Sequence, residues 1–252
     1  MPSSLKILAT LLVFSYGLTL LAATDAQLKP TRALFFDGTR NREIPVVIYL
    51  PSSGKNATKL AVINSGNGME PTAYGFIARQ LADDGYLVVS VQHQLPTDAP
   101  LASTGDLYAL RRPTWERGVA NLLCVLSNVK REFPQAAPSQ TILIGHSNGG
   151  DICALFATLH PTEAAVVITL DHRRMPLPRT RQPRILSLRA DEFPPNPGVL
   201  PSPEEAEPLG ISIVQLKNTK HIDLSDYGCD VLKGRVLSLI SGFLGEPRPA
   251  SH

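Results

Sequence analysis

Short apolar runs that alternate with longer amphipathic stretches constrain the fold of this chain more than any other feature. The runs are Leu60–Ile63, Leu87–Val91, Thr141–Ile144, Ala165–Leu170, Ile185–Leu188 and Ile211–Leu216. The stretches, which carry apolar residues at helical spacing, are Tyr74–Asp84, Thr114–Arg131, Gly149–Leu159 and Val231–Phe243. Strands buried on both faces read as continuous apolar runs, and parallel strands need helical connections. The alternation predicts an α/β fold with a doubly wound, mostly parallel sheet.

Two segments depart from this alternation. Arg32–Phe36 and Pro45–Leu50 are extended patterns, and the turn-forming dipeptide Asp37-Gly38 lies between them, so an N-terminal antiparallel hairpin is predicted. Between Asp171 and Arg184 the chain contains three prolines, which forbid a regular helix. This connection is predicted to be an exposed loop with no room for a large lid domain.

The first 26 residues have the layout of a secretory signal peptide. Lys6 precedes an apolar run from Ile7 to Ala22, and small residues follow it up to Ala26. The run is shorter than the roughly 20 residues that a membrane span needs. We therefore expect cleavage near Ala23 or Ala26, a folded domain at 27–252, export to the periplasm or the medium, and no membrane attachment after cleavage.

The composition of the chain restricts its domain organisation and the classes of partner that it can bind. A chain of 252 residues with 43% hydrophobic residues is long enough for one domain with a sizeable core. Its formal net charge of +2 lacks the strong basic balance of nucleic-acid-binding proteins, so that class is excluded. Three cysteines, Cys124, Cys153 and Cys229, lack the spacing of a disulfide framework or a zinc site, although one disulfide remains open.

A candidate catalytic motif directly follows the run that ends at Ile144. Its sequence is Gly145-His146-Ser147-Asn148-Gly149. The pattern G-x-S-x-G between a buried strand and a helix is typical of a nucleophile elbow, in which a sharp turn presents the serine hydroxyl above the sheet. The flanking glycines allow strand and helix to approach without side-chain clashes. Ser147 is therefore the candidate nucleophile.

With this motif in this place, nearly all of the chain after residue 26 resembles the α/β-hydrolase family, and especially its small lidless members related to dienelactone hydrolases and acetylhydrolases. The resemblance implies a triad in the chain order nucleophile, acid, histidine. His221, a few residues after the last apolar run, is the candidate base. His93 is its main competitor, but it precedes the nucleophile.

The acid is less clearly marked. Asp191 follows the run Ile185–Leu188 and is the favoured candidate, since a carboxylate there would orient a histidine and stabilise its imidazolium. Glu192 is one residue further on, and Asp171 ends the preceding run. Both stay open as alternatives.

The resemblance also implies two backbone donors for the oxyanion. One is the N–H group of Asn148, which follows the nucleophile. The other comes from the loop Asn64-Ser65-Gly66-Asn67-Gly68, in which Asn67 matches the family's donor. Many relatives have His-Gly where this chain has Ser65-Gly66, which puts the second donor in question.

The implied reaction is acyl transfer through an acyl-enzyme, which requires neither a metal nor an organic cofactor. The expected substrate is a small-molecule acyl compound, with a carboxylic ester as the first choice. A thioesterase or peptidase on the same triad, and an inactive binding module, are the alternatives. A basic loop could attract acidic substrates or simply be a solvated surface; its arginines are Arg173, Arg174, Arg179, Arg181 and Arg184.

Overall fold

A mixed β-sheet organises the structure, a computed structural model that describes residues 29–51, 58–136 and 141–246. Within these ranges the sheet has eight strands: β1 (Thr31–Asp37), β2 (Arg42–Tyr49), β3 (Lys59–Asn64), β4 (Tyr86–Val91), β5 (Ile142–His146), β6 (Val166–Leu170), β7 (Arg184–Ala190) and β8 (Ser212–Leu216). Their spatial order is β1-β2-β4-β3-β5-β6-β7-β8.

The strand directions confirm the predicted sheet. β1 and β2 form the antiparallel hairpin, and β2 also pairs with β4 in the antiparallel sense. The other neighbours are parallel, with Ile63 of β3 beside Ile144 of β5 and Leu170 of β6 beside Leu188 of β7. Because parallel strands end at the same side of a sheet, the loops after β3, β5, β6, β7 and β8 meet there, where α/β proteins place their ligands.

Helices cover both faces of the sheet. They are α1 (Gly75–Asp83), α2 (Leu107–Glu132), α3 (Asn148–Leu159), α4 (Pro203–Leu209) and α5 (Asp230–Gly245). Buried residues of α2, α3 and α4 form one apolar core with one face of the sheet, and those of α1 and α5 form a second core with the other. The predicted doubly wound α/β class is confirmed.

Two helices depart from the prediction, one in where it begins and one in being present at all. α2 begins at Leu107 and not at Thr114, because the Asp106 side chain accepts hydrogen bonds from the first backbone N–H groups and Pro113 is accommodated inside the helix. α4 was not predicted. It has a capping box between Ser202 and Glu205, a proline in its first turn and a left-handed glycine at its end.

The connection from β6 to β7 contains no helix, as predicted, but it is not wholly exposed. Met175 and Leu177 are buried against the core and anchor the loop to the domain.

The predicted signal peptide, 1–26, lies outside the described residues. None of the described helices is long and apolar enough to cross a membrane. The three cysteines are free, with Cys153 buried and Cys229 exposed.

Candidate active site

Ser147 occupies a sharp turn between β5 and α3. Its backbone has φ 53° and ψ −120°, a conformation that costs a non-glycine residue about 1–3 kcal/mol. The turn is held on both sides, since the Ser147 N–H group donates to Leu170 O at 2.9 Å and the Ser147 carbonyl accepts from Asp151 N at 3.0 Å. This is the geometry expected of a nucleophile elbow.

The neighbouring glycines are required by close backbone contacts. A Cβ atom on Gly145 would lie 2.3 Å from Gly149 O, and one on Gly149 would lie 2.1 Å from Asn64 O. No side chain fits at either distance. The first turn of α3 therefore packs directly on β5 and on the end of β3, which brings the elbow beside the loop that follows β3.

His221 lies in a short 3-10 turn, His221–Leu224, that follows β8. Its Nδ1 atom is 2.5 Å from Oδ2 of Asp171, and its ring is 4.7 Å, between centroids, from the ring of His146, the residue before Ser147. The His221 side chain is 18% exposed and the Asp171 side chain is fully buried. A buried carboxylate on Nδ1 fixes the tautomer that leaves Nε2 free to accept a proton.

The carboxylate of Asp171 is itself held from three sides. Oδ1 is 2.9 Å from Nη2 of Arg189 and accepts a hydrogen bond from the N–H group of Ala190 at 3.2 Å. Arg189 also donates to the carbonyl oxygen of His172. Its side chain is 2% exposed, and burial lowers its pKa from the ordinary value. The buried Arg189 guanidinium thus gives the Asp171 carboxylate a charged partner on the side away from His221.

The structure places Asp171 against the His221 ring, and the favoured acid candidate, Asp191, lies elsewhere. The register pairs Leu170 with Leu188, and β7 continues two residues further to Ala190, so Asp191 follows a strand that projects beyond β6. Its carboxylate is exposed and accepts hydrogen bonds from the N–H groups of Asn218 and Thr219 at 2.7 and 2.8 Å. Those bonds lower its pKa and fasten the loop that leads to His221.

Glu192, the other alternative, also contacts His221, but through the backbone. Its Oε2 atom accepts from the His221 N–H group at 2.7 Å. Of the three carboxylates weighed from the sequence, Asp171 is the one that meets the imidazole ring. Asp191 and Glu192 hold the loop that carries the ring.

The two backbone groups expected to bind an oxyanion lie on adjoining segments. Asn148 begins α3, where the first backbone N–H groups have no partner within the helix. Its side chain accepts from Trp115 Nε1 at 2.9 Å, which fixes this first turn against α2. Asn67 is exposed, in a tight turn closed by a hydrogen bond from Met69 N to Gly66 O. The N–H group of Gly66, one residue earlier, donates to Tyr74 Oη at 2.9 Å.

Tyr74 and His146 connect this turn to the His221 loop. His146 Nε2 lies 3.0 Å from the carbonyl oxygen of His221, which can only accept, so Nε2 carries the proton. Burial lowers the pKa of His146 to about 3, so its Nδ1 accepts from Tyr74 Oη at 2.9 Å. Donor and acceptor are therefore assigned in each hydrogen bond that links Gly66, Tyr74, His146 and His221. All four residues except His221 are buried.

His93 does not join this group. Asn121 Nδ2 lies 3.4 Å from its Nδ1 and Asn64 Oδ1 lies 2.8 Å from its Nε2, and burial lowers its pKa to about 3. It is a buried neutral histidine that supports β3. The contributions of Arg189 and Tyr74 were not predicted from the sequence. A charged residue directly after an apolar run was a usable signal for Arg189, whereas nothing near Tyr74 in the sequence marks it.

Comparison with solved structures shows the α/β-hydrolase fold. A ferulic acid esterase from Streptomyces cinnamoneus is 18% identical, with a TM-score of 0.61 over 92% of this chain and 96% of that one. A serine hydrolase without a lid from Xanthomonas campestris is 16% identical, with a TM-score of 0.55 over 93% and 100%. A dienelactone hydrolase from Anabaena variabilis is 12% identical, with a TM-score of 0.59 over 87% and 98%.

No protein-family model matches the chain, and no curated protein matches it by sequence. The likeness is thus one of fold, and it agrees with the resemblance to small lidless α/β-hydrolases inferred from the sequence. The three structures are similar to this chain over nearly its whole length, and over nearly all of their own.

Proposed function

We propose that the protein is a serine hydrolase that cleaves a carboxylic ester, with Ser147 as nucleophile, His221 as general base and Asp171 as the acid that orients it. The observation that carries the proposal is the 2.5 Å contact between His221 Nδ1 and the buried Asp171 carboxylate, beside a serine in an elbow conformation. A nucleophile, a base and an orienting group in this relation are the requirements for serine catalysis.

In the first step, Ser147 Oγ attacks the carbonyl carbon of the ester while His221 Nε2 takes the hydroxyl proton. The negative charge on the former carbonyl oxygen is bound by the backbone N–H groups of Asn148 and Asn67. Each such donor contributes about 3 kcal/mol to stabilising a transition state of this kind. The tetrahedral intermediate then expels the alcohol, which receives the proton from His221, and the acyl group remains on Ser147.

In the second step, a water molecule gives its proton to His221 and attacks the acyl carbon. The second tetrahedral intermediate breaks down to the free acid, and Ser147 Oγ recovers its proton. Asp171 stays ionised throughout and stabilises the imidazolium that forms in each half-reaction. The reaction consumes one water and releases one alcohol and one acid.

The choice of an ester, and of a small one, rests on two supports. The similar solved structures include a ferulic acid esterase and a dienelactone hydrolase. The described connection from β6 to β7 has no helix that could form a lid, and Met175 and Leu177 hold it against the domain. We therefore expect short or chain-end acyl groups to be better substrates than emulsified long-chain lipids.

The first test is labelling of the purified protein with a fluorophosphonate, which reacts with activated serines. We expect labelling of the wild type and none of Ser147→Ala or His221→Ala. A panel of ester, thioester and peptide substrates then fixes the bond that is cleaved, and esters should dominate. A folded wild type that is neither labelled nor active on any member of the panel would favour a binding module.

We also propose export, from the signal-peptide layout of the first 26 residues. The intact mass of the protein recovered from its native host should correspond to cleavage near Ala23 or Ala26. A mature protein that retains Lys6 and the apolar run would contradict this.

A further inference from the structure

Arg173 lies at the rim of the candidate active site. It follows Asp171 by two residues, and its guanidinium carbon is 4.6 Å from the centre of the Phe193 ring. The Phe193 ring in turn meets the His221 ring edge-on, with 6.2 Å between centroids. A cation is therefore stacked on an aromatic ring that touches the proposed base.

Two further arginines flank the first turn of α3. The backbone N–H group of Arg174 donates to Oδ1 of Asp151, and the Asp151 N–H group donates to the carbonyl of Ser147. Arg111 lies on α2 one turn before Trp115, the residue whose indole donates to the Asn148 side chain. Arg174 is thus linked through Asp151 to the turn that carries the nucleophile, and Arg111 lies on the part of α2 that packs against this turn.

The three guanidinium groups are close enough to affect one another. The pKa of Arg111 is lowered to about 10, chiefly by burial and next by the positive charge of Arg174, with a smaller effect of Arg173. Asp151 opposes this shift, but burial raises its own pKa, and its Oδ1 atom already accepts from the N–H groups of Arg174 and Met175. The three guanidinium groups therefore share one buried carboxylate in the first turn of α3, and the N-terminus of that helix adds to the positive potential there.

These arginines differ from others in the same part of the fold. Arg179 pairs with Glu205, Arg184 with Glu246 and Arg189 with Asp171. In the described ranges, Arg111, Arg173 and Arg174 form no ion pair, and the Nε atoms of Arg173 and Arg174 are buried without a hydrogen-bond partner. Like charges held close together repel one another, Asp151 offsets only part of that repulsion, and a bound anion would relieve more of it.

We propose that Arg111, Arg173 and Arg174 form an anion subsite next to Ser147, and that the natural substrate is an ester that also carries a carboxylate or a phosphate group. This inference rests on the proposed function. Guanidinium groups suit both anions because their N–H donors match a pair of acceptor oxygens. The subsite would orient the substrate by its charged end while its ester carbonyl lies at Ser147.

The test compares kcat/KM for charged and neutral esters of the same shape. For charge on the leaving group, para-acetoxybenzoate and para-acetoxyphenyl phosphate are compared with methyl para-acetoxybenzoate. For charge on the acyl group, the mono-para-nitrophenyl ester of adipic acid is compared with para-nitrophenyl hexanoate. The carboxylate and phosphate arms distinguish the two anions. We expect the wild type to prefer a charged ester in at least one arm.

The variants are Arg173→Gln, Arg111→Gln and Arg174→Gln, with Arg131→Gln as the matched control. Arg131 lies in the last turn of α2 and its side chain is 67% exposed, so this variant removes the same charge far from Ser147. We expect the charged-to-neutral ratio of kcat/KM to fall about tenfold in Arg173→Gln and Arg111→Gln, a loss of about 1.4 kcal/mol, because each variant removes a charged hydrogen-bond donor to the anion. It should keep its wild-type value in Arg131→Gln.

Binding without turnover separates this inference from the proposed function. The full-length protein and its variants are titrated with para-hydroxybenzoate and with inorganic phosphate in a calorimeter. Binding of these anions reports the subsite even if no ester is cleaved. Anion binding that Arg173→Gln weakens supports the subsite. A wild type that cleaves neutral esters but has no charged preference and binds neither anion, or a preference that all three variants retain, overturns it.

Discussion

The inner and outer sides of His221 are built in opposite ways. On the inner side lie Asp171, fully buried and paired with Arg189, and His146, whose neutral ring bonds to Tyr74. On the outer side lie Asp191 and Glu192, which are exposed and bind only backbone N–H groups. Both sides hold the same residue, but one meets its ring and the other its main chain.

The contrast teaches that position at the end of a strand does not by itself define a catalytic acid. Asp171 and Asp191 each directly follow one of two neighbouring parallel strands. What separates them is the backbone, since Asp171 has φ 49° and lies opposite Arg189, whereas Asp191 lies beyond the end of the longer strand. A carboxylate that is desolvated and paired can orient an imidazole, and one in water mainly shapes a loop.

The largest expected effect comes from Asp171→Asn. The amide no longer favours the correct His221 tautomer, so kcat for ester hydrolysis should fall about 10³- to 10⁴-fold. Arg189 would also lose its buried partner, which should cost about 3 kcal/mol of unfolding free energy. Steady-state kinetics and urea unfolding measure the two effects. A folded Asp171→Asn variant with nearly wild-type kcat would show that another carboxylate serves His221.

Acid pH should destabilise the fold through its buried neutral histidines. Burial lowers the pKa values of His93, His146 and His172 to about 3, whereas an unfolded histidine titrates near 6.5. The unfolded chain therefore binds more protons below about pH 6.5, and stability is lost as the pH falls from there towards 3. Each histidine should account for a loss of about 2 kcal/mol between about pH 8 and pH 5.

Urea unfolding at those two pH values measures this loss, and His93→Gln provides the comparison because it removes one of the three groups. The variant should lose about 2 kcal/mol less than the wild type over the same interval, whatever its absolute stability. Equal losses in both proteins would show that His93 is not held neutral. Asp191 should add to this loss of stability only at lower pH, because its pKa lies below that of an ordinary carboxyl group and its stabilising effect is lost only when it is protonated.

Tyr74→Phe tests the buried connection between the Asn67 turn and His221. The variant keeps the ring but removes the hydroxyl that accepts from Gly66 and donates to His146. We expect kcat to fall about tenfold with little change in KM, because misplacement of oxyanion donors weakens transition-state binding and leaves ground-state binding intact. A variant that is less stable but has unchanged kcat would assign Tyr74 a purely structural role.

The smallest effect is expected from Asp191→Asn. The amide oxygen can still accept from Asn218 or Thr219, but the second acceptor becomes a donor, so the loop before His221 should loosen slightly. A fall in kcat of about threefold corresponds to a loss of less than 1 kcal/mol. A loss as large as that of Asp171→Asn would return the acid role to Asp191.

Much of this arrangement could be predicted from the sequence. Apolar runs and helical stretches defined the sheet, because burial on both faces leaves a direct mark on composition. Ser147 could be found because an elbow needs small neighbours, and Gly145 and Gly149 supply them where a side chain would strike backbone. The position of His221 follows from chain order once the family resemblance is recognised.

The acid and the buried connections could not be predicted in the same way. The left-handed backbone at Asp171 and the projection of β7 past β6 are tertiary features that no spacing along the chain encodes. Tyr74 reaches His146 across 72 residues of sequence, so no local pattern marks the pair. The start of α2 at Leu107 was also not predicted. A proline ends many helices, but Pro113 is accommodated within this one.

The most direct test of the central claim is the low-field proton NMR spectrum of the folded protein. A proton shared between His221 Nδ1 and Asp171 over 2.5 Å should give a resonance well downfield of the amide region. The resonance should be absent from His221→Gln and from Asp171→Asn and unchanged in Asp191→Asn. A resonance that survives in Asp171→Asn but disappears in Asp191→Asn would contradict the assignment of Asp171 as the residue that orients His221.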